Sequence, residues 1–321
     1  MVISFFEINE LEQKRFEEKL QGNTLKFFEE SIQNVDKNEY KDSDVISVFI
    51  HSKVDKDIID NLDNLKLIAT RSTGTDHINI DYAKFKNIYV KNVPLYGENT
   101  VAEHTFALML SLSRKIHESY TSSIKGNFST SGLMGFDLKG KTIGIIGGGR
   151  IGLHVARMAR SFGMHVRVYD INQDMFLAEL INFKYIDLDE LLKVSDIISL
   201  HVPLNEHTKH IINKENIEKM KDGVVIINTA RGGLINNTDL INALESGKIY
   251  GAGLDVLEGE EFLFEENIFN SPIENAAKVI VESKMLTQMP NVVITPHNAF
   301  NSIEAVYRII DTTIENILNV K

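Results

Sequence analysis

The fold of a large part of the chain follows from one stretch, Thr142-Ile143-Gly144-Ile145-Ile146-Gly147-Gly148-Gly149-Arg150-Ile151-Gly152. An apolar strand runs directly into a Gly-x-Gly-x-x-Gly turn, and a helix-length segment, 153–162, follows it. In such a turn Gly147 permits the tight bend, Gly149 lets a pyrophosphate approach the backbone, and Gly152 allows close packing of helix on strand. The amides at the helix start attract the anion. The stretch therefore predicts a dinucleotide-binding unit.

A second strand supports this prediction and indicates which dinucleotide binds. The run Val166-Arg167-Val168-Tyr169-Asp170 ends in an acid 18 residues beyond Gly152, close to the typical spacing of about 20. Asp170 can accept hydrogen bonds from both ribose hydroxyls, and its charge repels a 2′-phosphate. Since no arginine follows it, the sequence favours NAD over NADP. Arg150 either contacts the pyrophosphate or is an exposed arginine at the helix start.

Short apolar runs alternate with helical segments along the chain, which predicts parallel sheets covered by helices. Strands are expected in a first series at 45–50, 65–69 and 88–90, and in a second at 142–146, 166–169, 196–200, 224–228, 251–255 and 292–295. The fold class predicted is α/β with two doubly wound parallel-sheet domains. We expect a Rossmann NAD-binding domain, 98–296, inserted into a flavodoxin-like substrate domain, 1–97 and 297–321, with the site in the cleft and a hinge at the two crossings.

Three features of this organisation concern helices and surface. Thr100 and Glu103 fit a Ser/Thr-x-x-Glu capping box, so a long helix is expected from there up to Ile116. An apolar stripe with a period near 3.6 over 303–318 predicts a last helix that needs an apolar partner, which the first domain can supply. The stretch 259–289 is the least regular, and its glutamates indicate a solvated acidic face.

Composition excludes several classes of function. The 321-residue chain has a formal net charge of −11, which argues against nucleic acid or an anionic membrane as a partner. It contains no cysteine, so disulfides, thiolate metal sites and cysteine nucleophiles are absent. His77, His104 and His201 lack metal-ligand spacing, and no metal is expected. Without a signal peptide or an apolar run of membrane length, a cytoplasmic location is expected.

Polar residues follow three strands of the second series, and ligands of doubly wound sheets bind at such strand ends. Arg231 has a planar guanidinium that can hold a carboxylate by two hydrogen bonds. His297 can exchange a proton with a substrate oxygen near neutral pH, and Glu260 can orient it and stabilise its imidazolium form. Taken singly, each has an ordinary alternative: a solvent-facing arginine, a structural histidine and a member of an acidic surface.

Together with the motifs around them, these residues resemble the D-isomer-specific 2-hydroxyacid dehydrogenases. The resemblance is carried, in this order, by Val101-Ala102-Glu103-His104, Gly147-x-Gly149-x-x-Gly152, His201-Val202-Pro203-Leu204, Asn228-Thr229-Ala230-Arg231-Gly232, Gly253-Leu254-Asp255-Val256 and Thr295-Pro296-His297. It extends from about residue 45 to the C-terminus. It implies that Arg231 binds the substrate carboxylate and carbonyl, that His297 is the acid/base and that Glu260 tunes it.

The same resemblance assigns further binding residues. It implies cofactor contacts from Ile151, His201, Val202, Pro203, Thr229, Ala230 and Asp255, the last of these to the nicotinamide amide. It implies that main-chain amides around Thr73 and Gly74 hold the substrate carboxylate. Tyr96 and Phe300 resemble aromatic pocket residues of the D-lactate dehydrogenase branch, although either ring can equally be core packing. Two bulky rings leave room for a small side chain, which favours pyruvate.

The implied reaction is hydride transfer from NADH to a 2-oxo acid, with His297 protonating the oxygen. The 37-residue step from Glu260 to His297 also resembles the lactate branch. Alternatives are a dehydrogenase for a bulkier acid, for hydroxypyruvate or for glyoxylate, and an NAD-sensing scaffold of the same fold. A formate dehydrogenase is disfavoured by glutamate instead of glutamine at 260. A homodimer is expected, because the helix after Tyr96 resembles the family's dimer-forming region.

Overall fold

The structure is a computed structural model that describes residues 1–260 and 273–320, the side chains of 273–276 excepted. Its strands are β1 Val2–Phe5, β2 Thr24–Phe27, β3 Val45–Val48, β4 Leu67–Thr70, β5 Tyr89–Lys91, β6 Thr142–Ile146, β7 His165–Tyr169, β8 Lys184–Tyr185, β9 Ile197–Leu200, β10 Val224–Asn228, β11 Ile249–Leu254 and β12 Val292–Ile294. Its α-helices are α1 Glu10–Lys19, α2 Lys37–Tyr40, α3 Lys56–Asp60, α4 Ile80–Phe85, α5 Glu98–Ser113, α6 Ile116–Ile124, α7 Arg150–Ser161, α8 Met175–Ile181, α9 Leu188–Val194, α10 Lys214–Lys219, α11 Asn237–Glu245, α12 Ile273–Gln288 and α13 Ile303–Leu318. Contacts divide the chain into two compact units, Met1–Gly97 with Asn301–Lys321 and Glu98–Phe300.

The first unit is a five-stranded parallel sheet in the order β2-β1-β3-β4-β5. This is the 2-1-3-4-5 order of flavodoxin-like folds. Neighbouring residues of a strand point to opposite faces, so Leu67 and Ile68 of β4 enter different core clusters. Leu67 packs with Ile310 and Ile314 of α13. The prediction that the last helix packs on the first domain is therefore confirmed.

The second unit is a seven-stranded parallel sheet in the order β12-β11-β10-β9-β6-β7-β8. Renumbered within the unit, its strands run 7-6-5-4-1-2-3, the Rossmann order 3-2-1-4-5-6 with one strand added. Two apolar clusters cover the two faces of the sheet. The predicted fold class, two doubly wound α/β domains of flavodoxin-like and Rossmann type, is confirmed.

The helix predicted from Thr100 to Ile116 differs from the observed one at both ends. It begins at Glu98, so the proposed capping box is wrong, and the Glu103 carboxylate accepts a hydrogen bond from the side-chain amide of Asn99 at 2.6 Å. It ends at Ser113, whose carbonyl accepts the Phe136 amide at 2.8 Å. A later segment of the chain thus occupies the position that a further helical turn needs, and α6 starts separately.

Two boundaries drawn from the sequence also shift. Residues 297–300 stay with the second unit, because the His297 amide donates to the Asp255 carbonyl and the next two amides donate to the Asp255 carboxylate. The stretch 259–289, expected to be irregular, contains α12, in which Leu286 is fully buried. Glu261, Glu265 and Glu266 of the proposed acidic face lie outside the described residues.

The structure also contains strands that the sequence analysis did not predict. They are β1 and β2, both within the first 40 residues, and the two-residue β8. Within the described ranges, 1–260 and 273–320, no helix is both long and apolar enough to cross a membrane.

Candidate active site

The three polar strand ends are neighbours in the second sheet. Asn228 at the end of β10 pairs with Leu254 of β11, and Leu254 pairs with Ile294 of β12. Parallel strands end at the same edge, so the segments that carry Arg231, Glu260 and His297 leave the sheet side by side. This is the edge at which doubly wound sheets bind their ligands.

His297 and Glu260 form a direct pair. Nδ1 of His297 lies 2.7 Å from Oε1 of Glu260, and their side chains are 22% and 27% exposed. The other carboxylate oxygen accepts the Leu257 amide at 3.1 Å, which fixes the orientation of the glutamate. A carboxylate only accepts, so Nδ1 carries the shared hydrogen and Nε2 is the ring nitrogen left to exchange a proton with a ligand.

The backbone of His297 adopts a strained conformation. Its φ is 51°, in the left-handed region that few residues other than glycine occupy. Such a residue costs about 1–3 kcal/mol and persists only where its surroundings enforce it. Here the His297 amide donates to the carbonyls of Asp255 and Thr295 at 2.8 and 2.9 Å. The strand ends thus hold the histidine in a position that its own backbone preference does not favour.

Asp255 organises the segment around His297. It is 1% exposed, and its carboxylate accepts the Asn298 and Ala299 amides at 3.0 and 2.9 Å and the Thr295 hydroxyl. Burial by itself raises the pKa of this carboxyl, but hydrogen bonds from His104, Thr295 and the Ala299 amide lower it below its ordinary value. Asp255 is therefore ionised at neutral pH.

Arg231 is positioned by a turn that closes on an asparagine. The Asn228 side chain donates to the Arg231 carbonyl at 2.9 Å and accepts the Ala230 amide at 3.0 Å. A Cβ on Gly232 would lie 2.0 Å from the backbone of Leu257, so only glycine fits there. The loop that carries Arg231 therefore packs backbone to backbone on the loop that leads to Glu260. The guanidinium is half-buried and donates to the Ala230 carbonyl at 2.7 Å.

The glycine turn has the shape that a dinucleotide requires. Gly147 has φ 105°, and a Cβ there would lie 2.6 Å from the His201 backbone. A Cβ on Gly152 would lie 2.0 Å from the Gly147 carbonyl, whereas the space over Gly149 is open to 4 Å. Gly149 has no side chain to cap α7, so the first amides of that helix are available to a pyrophosphate. The arrangement fits NAD.

Asp170 lies at the same turn. Its carboxylate accepts the Gly148 amide at 2.6 Å and the Asn172 amide at 2.8 Å. These two bonds leave lone pairs on both oxygens for the ribose hydroxyls. Arg150 is exposed at the helix start, with a guanidinium nitrogen 3.9 Å from the Glu98 carboxylate. Its position agrees with either of the two roles considered for it.

The other cofactor residues implied by the resemblance lie in the same unit. His201 follows β9, and its Nε2 lies 2.8 Å from the Ser199 hydroxyl. Burial around the ring lowers the pKa of His201 to about 3, so this histidine is neutral and does not donate a proton. The Thr229 hydroxyl, buried, contacts the Thr105 hydroxyl at 3.0 Å. The remaining four differ in burial: Ile151, Val202 and Ala230 are half-buried and Pro203 is exposed.

The substrate residues implied by the resemblance are divided between the units. Thr73 and Gly74 follow β4 in the first unit, and the Thr73 hydroxyl donates to the Val93 carbonyl at 2.9 Å. Tyr96 belongs to the same unit, where its carbonyl accepts Nε of Arg308 at 2.7 Å. Phe300 is half-buried at the end of the second unit.

Sequence reasoning missed the partners of Asp255. His104, considered above only as a metal ligand, has its Nε2 2.9 Å from the Thr295 hydroxyl and 3.4 Å from the Asp255 carboxylate. The available signal was membership of the quoted motifs Val101-Ala102-Glu103-His104 and Thr295-Pro296-His297. Among the residues that the structure describes, no His, Asp and Glu side chains are grouped in threes in a way that can hold a metal ion.

A Rossmann turn that fits NAD, on the same sheet as a histidine able to move a proton, belongs to a nicotinamide-dependent dehydrogenase. Residues 106–299 match the model of the NAD-binding domain of D-isomer-specific 2-hydroxyacid dehydrogenases. The chain is a member of this family, and it is an NAD-dependent D-2-hydroxyacid dehydrogenase.

Individual relatives agree with this assignment. The chain is 35% identical to D-lactate dehydrogenase of Escherichia coli over 94% of its length and 90% of that protein. It is 40% identical to an aromatic 2-oxoacid reductase of Clostridium sporogenes over 95% of its length and 90% of that protein. The crystal structure of D-lactate dehydrogenase from Aquifex aeolicus with NAD and lactic acid is similar with a TM-score of 0.88 and 39% identity, over 98% and 94% of the two chains.

The preference for NAD can be tested at Asp170. We expect Asp170→Ala to raise the Kd for NADH about 10- to 100-fold, since a pair of charge-assisted hydrogen bonds is lost. The Kd for NADPH is expected to fall, because the repelling charge is gone. NADH fluorescence titrations measure both constants. Glu179→Ala, an exposed site with the same change of net charge, is the control. An unchanged ratio of the two constants would remove Asp170 from cofactor selection.

Proposed function

We propose that the enzyme reduces a small 2-oxo acid, pyruvate in the first place, to the D-2-hydroxy acid. The observation that carries the proposal is the His297–Glu260 pair, 2.7 Å apart, at the strand edge shared with Arg231. NADH, when bound at the glycine turn, supplies a hydride to the carbonyl carbon. The protein's task is to bind the acid, stabilise the charge that develops on the oxygen and deliver a proton to it.

His297 is the proton donor in this scheme. Its Nδ1 is held by Glu260, so Nε2 presents the proton to the substrate oxygen. Reduction needs the imidazolium form, and oxidation of the hydroxy acid needs the neutral ring. Reduction is therefore favoured at low pH and oxidation at high pH.

Arg231 binds the acid and stabilises the reaction. Its guanidinium presents parallel N–H groups that match a carboxylate, and its permanent charge stabilises the negative charge that grows on the carbonyl oxygen. Main-chain amides around Thr73 and Gly74 hold the carboxylate, and Tyr96 and Phe300 limit the side chain. These last four assignments rest on the resemblance to the family. On the same basis the enzyme is a homodimer.

The test is NADH oxidation with a panel of 2-oxo acids, followed by chiral analysis of the product. The panel comprises pyruvate, 2-oxobutyrate, 2-oxoisocaproate, phenylpyruvate, hydroxypyruvate and glyoxylate. We expect the highest kcat/KM with pyruvate and D-lactate as the product. An L-product, or no turnover of any acid while NADH still binds, would overturn the proposal, and the second result would favour an NAD-sensing scaffold.

A bulkier acid is the second candidate substrate. It is favoured by the 40% identity to a protein named aromatic 2-oxoacid reductase, over 95% of this chain. In the panel, a preference for phenylpyruvate or 2-oxoisocaproate over pyruvate would select this candidate. The roles of Arg231 and His297 would stand, and the assignment of Tyr96 and Phe300 as rings that restrict the pocket would fall.

The role of Glu260 in the pair can be tested by removing its charge. Glu260→Gln keeps a side chain that can bond to Nδ1 of His297 but removes the charge that favours the imidazolium. We expect the pH at which reduction is half-maximal to fall, measured as kcat/KM against pH. Glu258→Gln is the matched control, because Glu258 pairs at 2.5 Å with His210 instead. Identical profiles for wild type and Glu260→Gln would exclude Glu260 from tuning the proton donor.

A further inference from the structure

His104 makes contacts that the reaction described above does not use. It lies on α5, and its side chain is 20% exposed. Its Nε2 is 2.9 Å from the Thr295 hydroxyl and 3.4 Å from Oδ1 of Asp255. One imidazole thus connects a helix with the ends of two strands, β11 and β12, whose following residues include His297.

The direction of the hydrogen bonds follows from the donors and acceptors present. The Asp255 carboxylate takes the amides of Asn298 and Ala299, so both its oxygens are acceptors. The Thr295 hydroxyl has one hydrogen and gives it to the same carboxylate. Its contact with His104 therefore has to be an accepted hydrogen bond, and Nε2 of His104 carries the hydrogen. The chain of bonds runs from His104 to Thr295 to Asp255.

This chain ends at the segment that holds the proton donor. The Asp255 carbonyl and the Thr295 carbonyl both accept the His297 amide, and the Asp255 carboxylate binds the two amides that follow. His297 has φ 51°, a conformation that depends on these bonds. If His104 is lost, the Thr295 hydroxyl loses its donor and the Asp255 carboxylate loses its nearest imidazole. The restraint on residues 295–299 then weakens.

We propose that His104 is a positioning residue, which through Thr295 and Asp255 holds the 295–299 segment and so sets the reach of His297. The proposal rests on the proposed function, in which His297 delivers the proton. His104 acts through other residues and touches none of the reacting atoms. The property that matters is the Nε2 hydrogen, not the positive charge of an imidazolium.

Two substitutions separate this role from simple packing. His104→Gln places an amide N–H near the original Nε2, whereas His104→Leu fills the space without a donor. We expect the leucine variant to lose about 10- to 100-fold in kcat, as small misplacements of a catalytic group do. The Kd for NADH and the KM for the acid are expected to change less than kcat does, since Asp170 and Arg231, assigned to bind them, lie outside the 295–299 segment. The glutamine variant is expected to stay within about threefold of wild type in kcat.

A double-mutant cycle tests the route through Thr295. Thr295→Val removes the hydroxyl that links His104 to Asp255. If the effect passes through this hydroxyl, adding His104→Leu to Thr295→Val lowers kcat no further. Fully additive losses would contradict that route. Equal losses in the glutamine and leucine variants, or wild-type kcat in the leucine variant, would overturn the proposal.

An NMR measurement that needs no substrate tests the role of His104 independently of the proposed reduction of a 2-oxo acid. Histidine ¹⁵N spectra of the whole protein, assigned with His104→Gln, report the tautomer of His104. We expect the Nε2–H tautomer, with its proton signal shifted in Thr295→Val. A ring protonated only at Nδ1 would overturn the proposal even if pyruvate is reduced. Failure of every 2-oxo acid with the expected spectrum would overturn the proposed function alone. Thermal unfolding of each variant shows whether it folds, and Thr295→Val tests the link should His104→Leu unfold.

Discussion

His297→Asn will lower kcat for reduction about 10²- to 10⁴-fold, the usual contribution of a general acid. Asparagine is the informative replacement because it tolerates the left-handed backbone better than other non-glycine residues, and His297 has φ 51°. Its side-chain amide can still donate to Glu260. The variant therefore removes the titrating ring while it keeps the backbone and the partner. Alanine would add backbone strain to the loss of the acid.

The chain contains a matched control for this substitution. His210 also has a left-handed backbone, φ 52°, and also pairs with a glutamate, Glu258, at 2.5 Å. His210→Asn therefore repeats the loss of a glutamate-paired imidazole on a left-handed backbone, at a histidine without an assigned catalytic role; His210 pairs through Nε2, whereas His297 pairs through Nδ1. We expect it to keep kcat within about threefold of wild type, as surface changes usually do. Steady-state kinetics and NADH titrations of both variants give the comparison. His297→Asn with more than a tenth of wild-type kcat would remove His297 as the acid.

The parts of the site that follow from local rules could be predicted from the sequence. Gly147 is required by its own φ of 105° and Gly152 by the nearby carbonyl of Gly147, and Asp170 follows at a spacing set by one strand–helix–strand unit. Arg231 and His297 could be placed at one edge because parallel strands share the direction in which they end. In each case a motif spacing or the assigned end of a strand carried the information.

Other features depend on contacts between distant parts of the chain. The helix expected to run to Ile116 ends at Ser113, because the carbonyl of Ser113 accepts a hydrogen bond from the main-chain amide of Phe136. No local sequence pattern indicates that partner. His104 and Thr295 are 191 residues apart in sequence and 2.9 Å apart in space. A single sequence does not specify which histidine of ten meets which strand end. The packing of α5 against the sheet determines that His104 lies beside Thr295.

Arg231→Gln will lower kcat/KM for the 2-oxo acid about 10²- to 10³-fold, the range seen when one charge-stabilising group is removed from an active site. Arg231→Lys keeps the charge but loses the paired N–H geometry. We expect its kcat/KM to lie between those of wild type and Arg231→Gln. Arg157→Gln, at an exposed arginine of α7, is the control for loss of a guanidinium.

Arg231 is assigned two tasks, to bind the carboxylate and to stabilise the charge on the carbonyl oxygen. A change of substrate separates them. An ester of the same 2-oxo acid keeps the carbonyl but has no carboxylate, so wild type is expected to use it poorly. If Arg231 grips the carboxylate, Arg231→Gln loses much less with the ester than with the acid, because the contact is already missing. If it acts on the carbonyl oxygen alone, the factor is the same for both substrates. The ratio of the two factors therefore divides the effect of Arg231 between binding the acid and stabilising its reduction, and a ratio of one would remove the carboxylate contact from the mechanism.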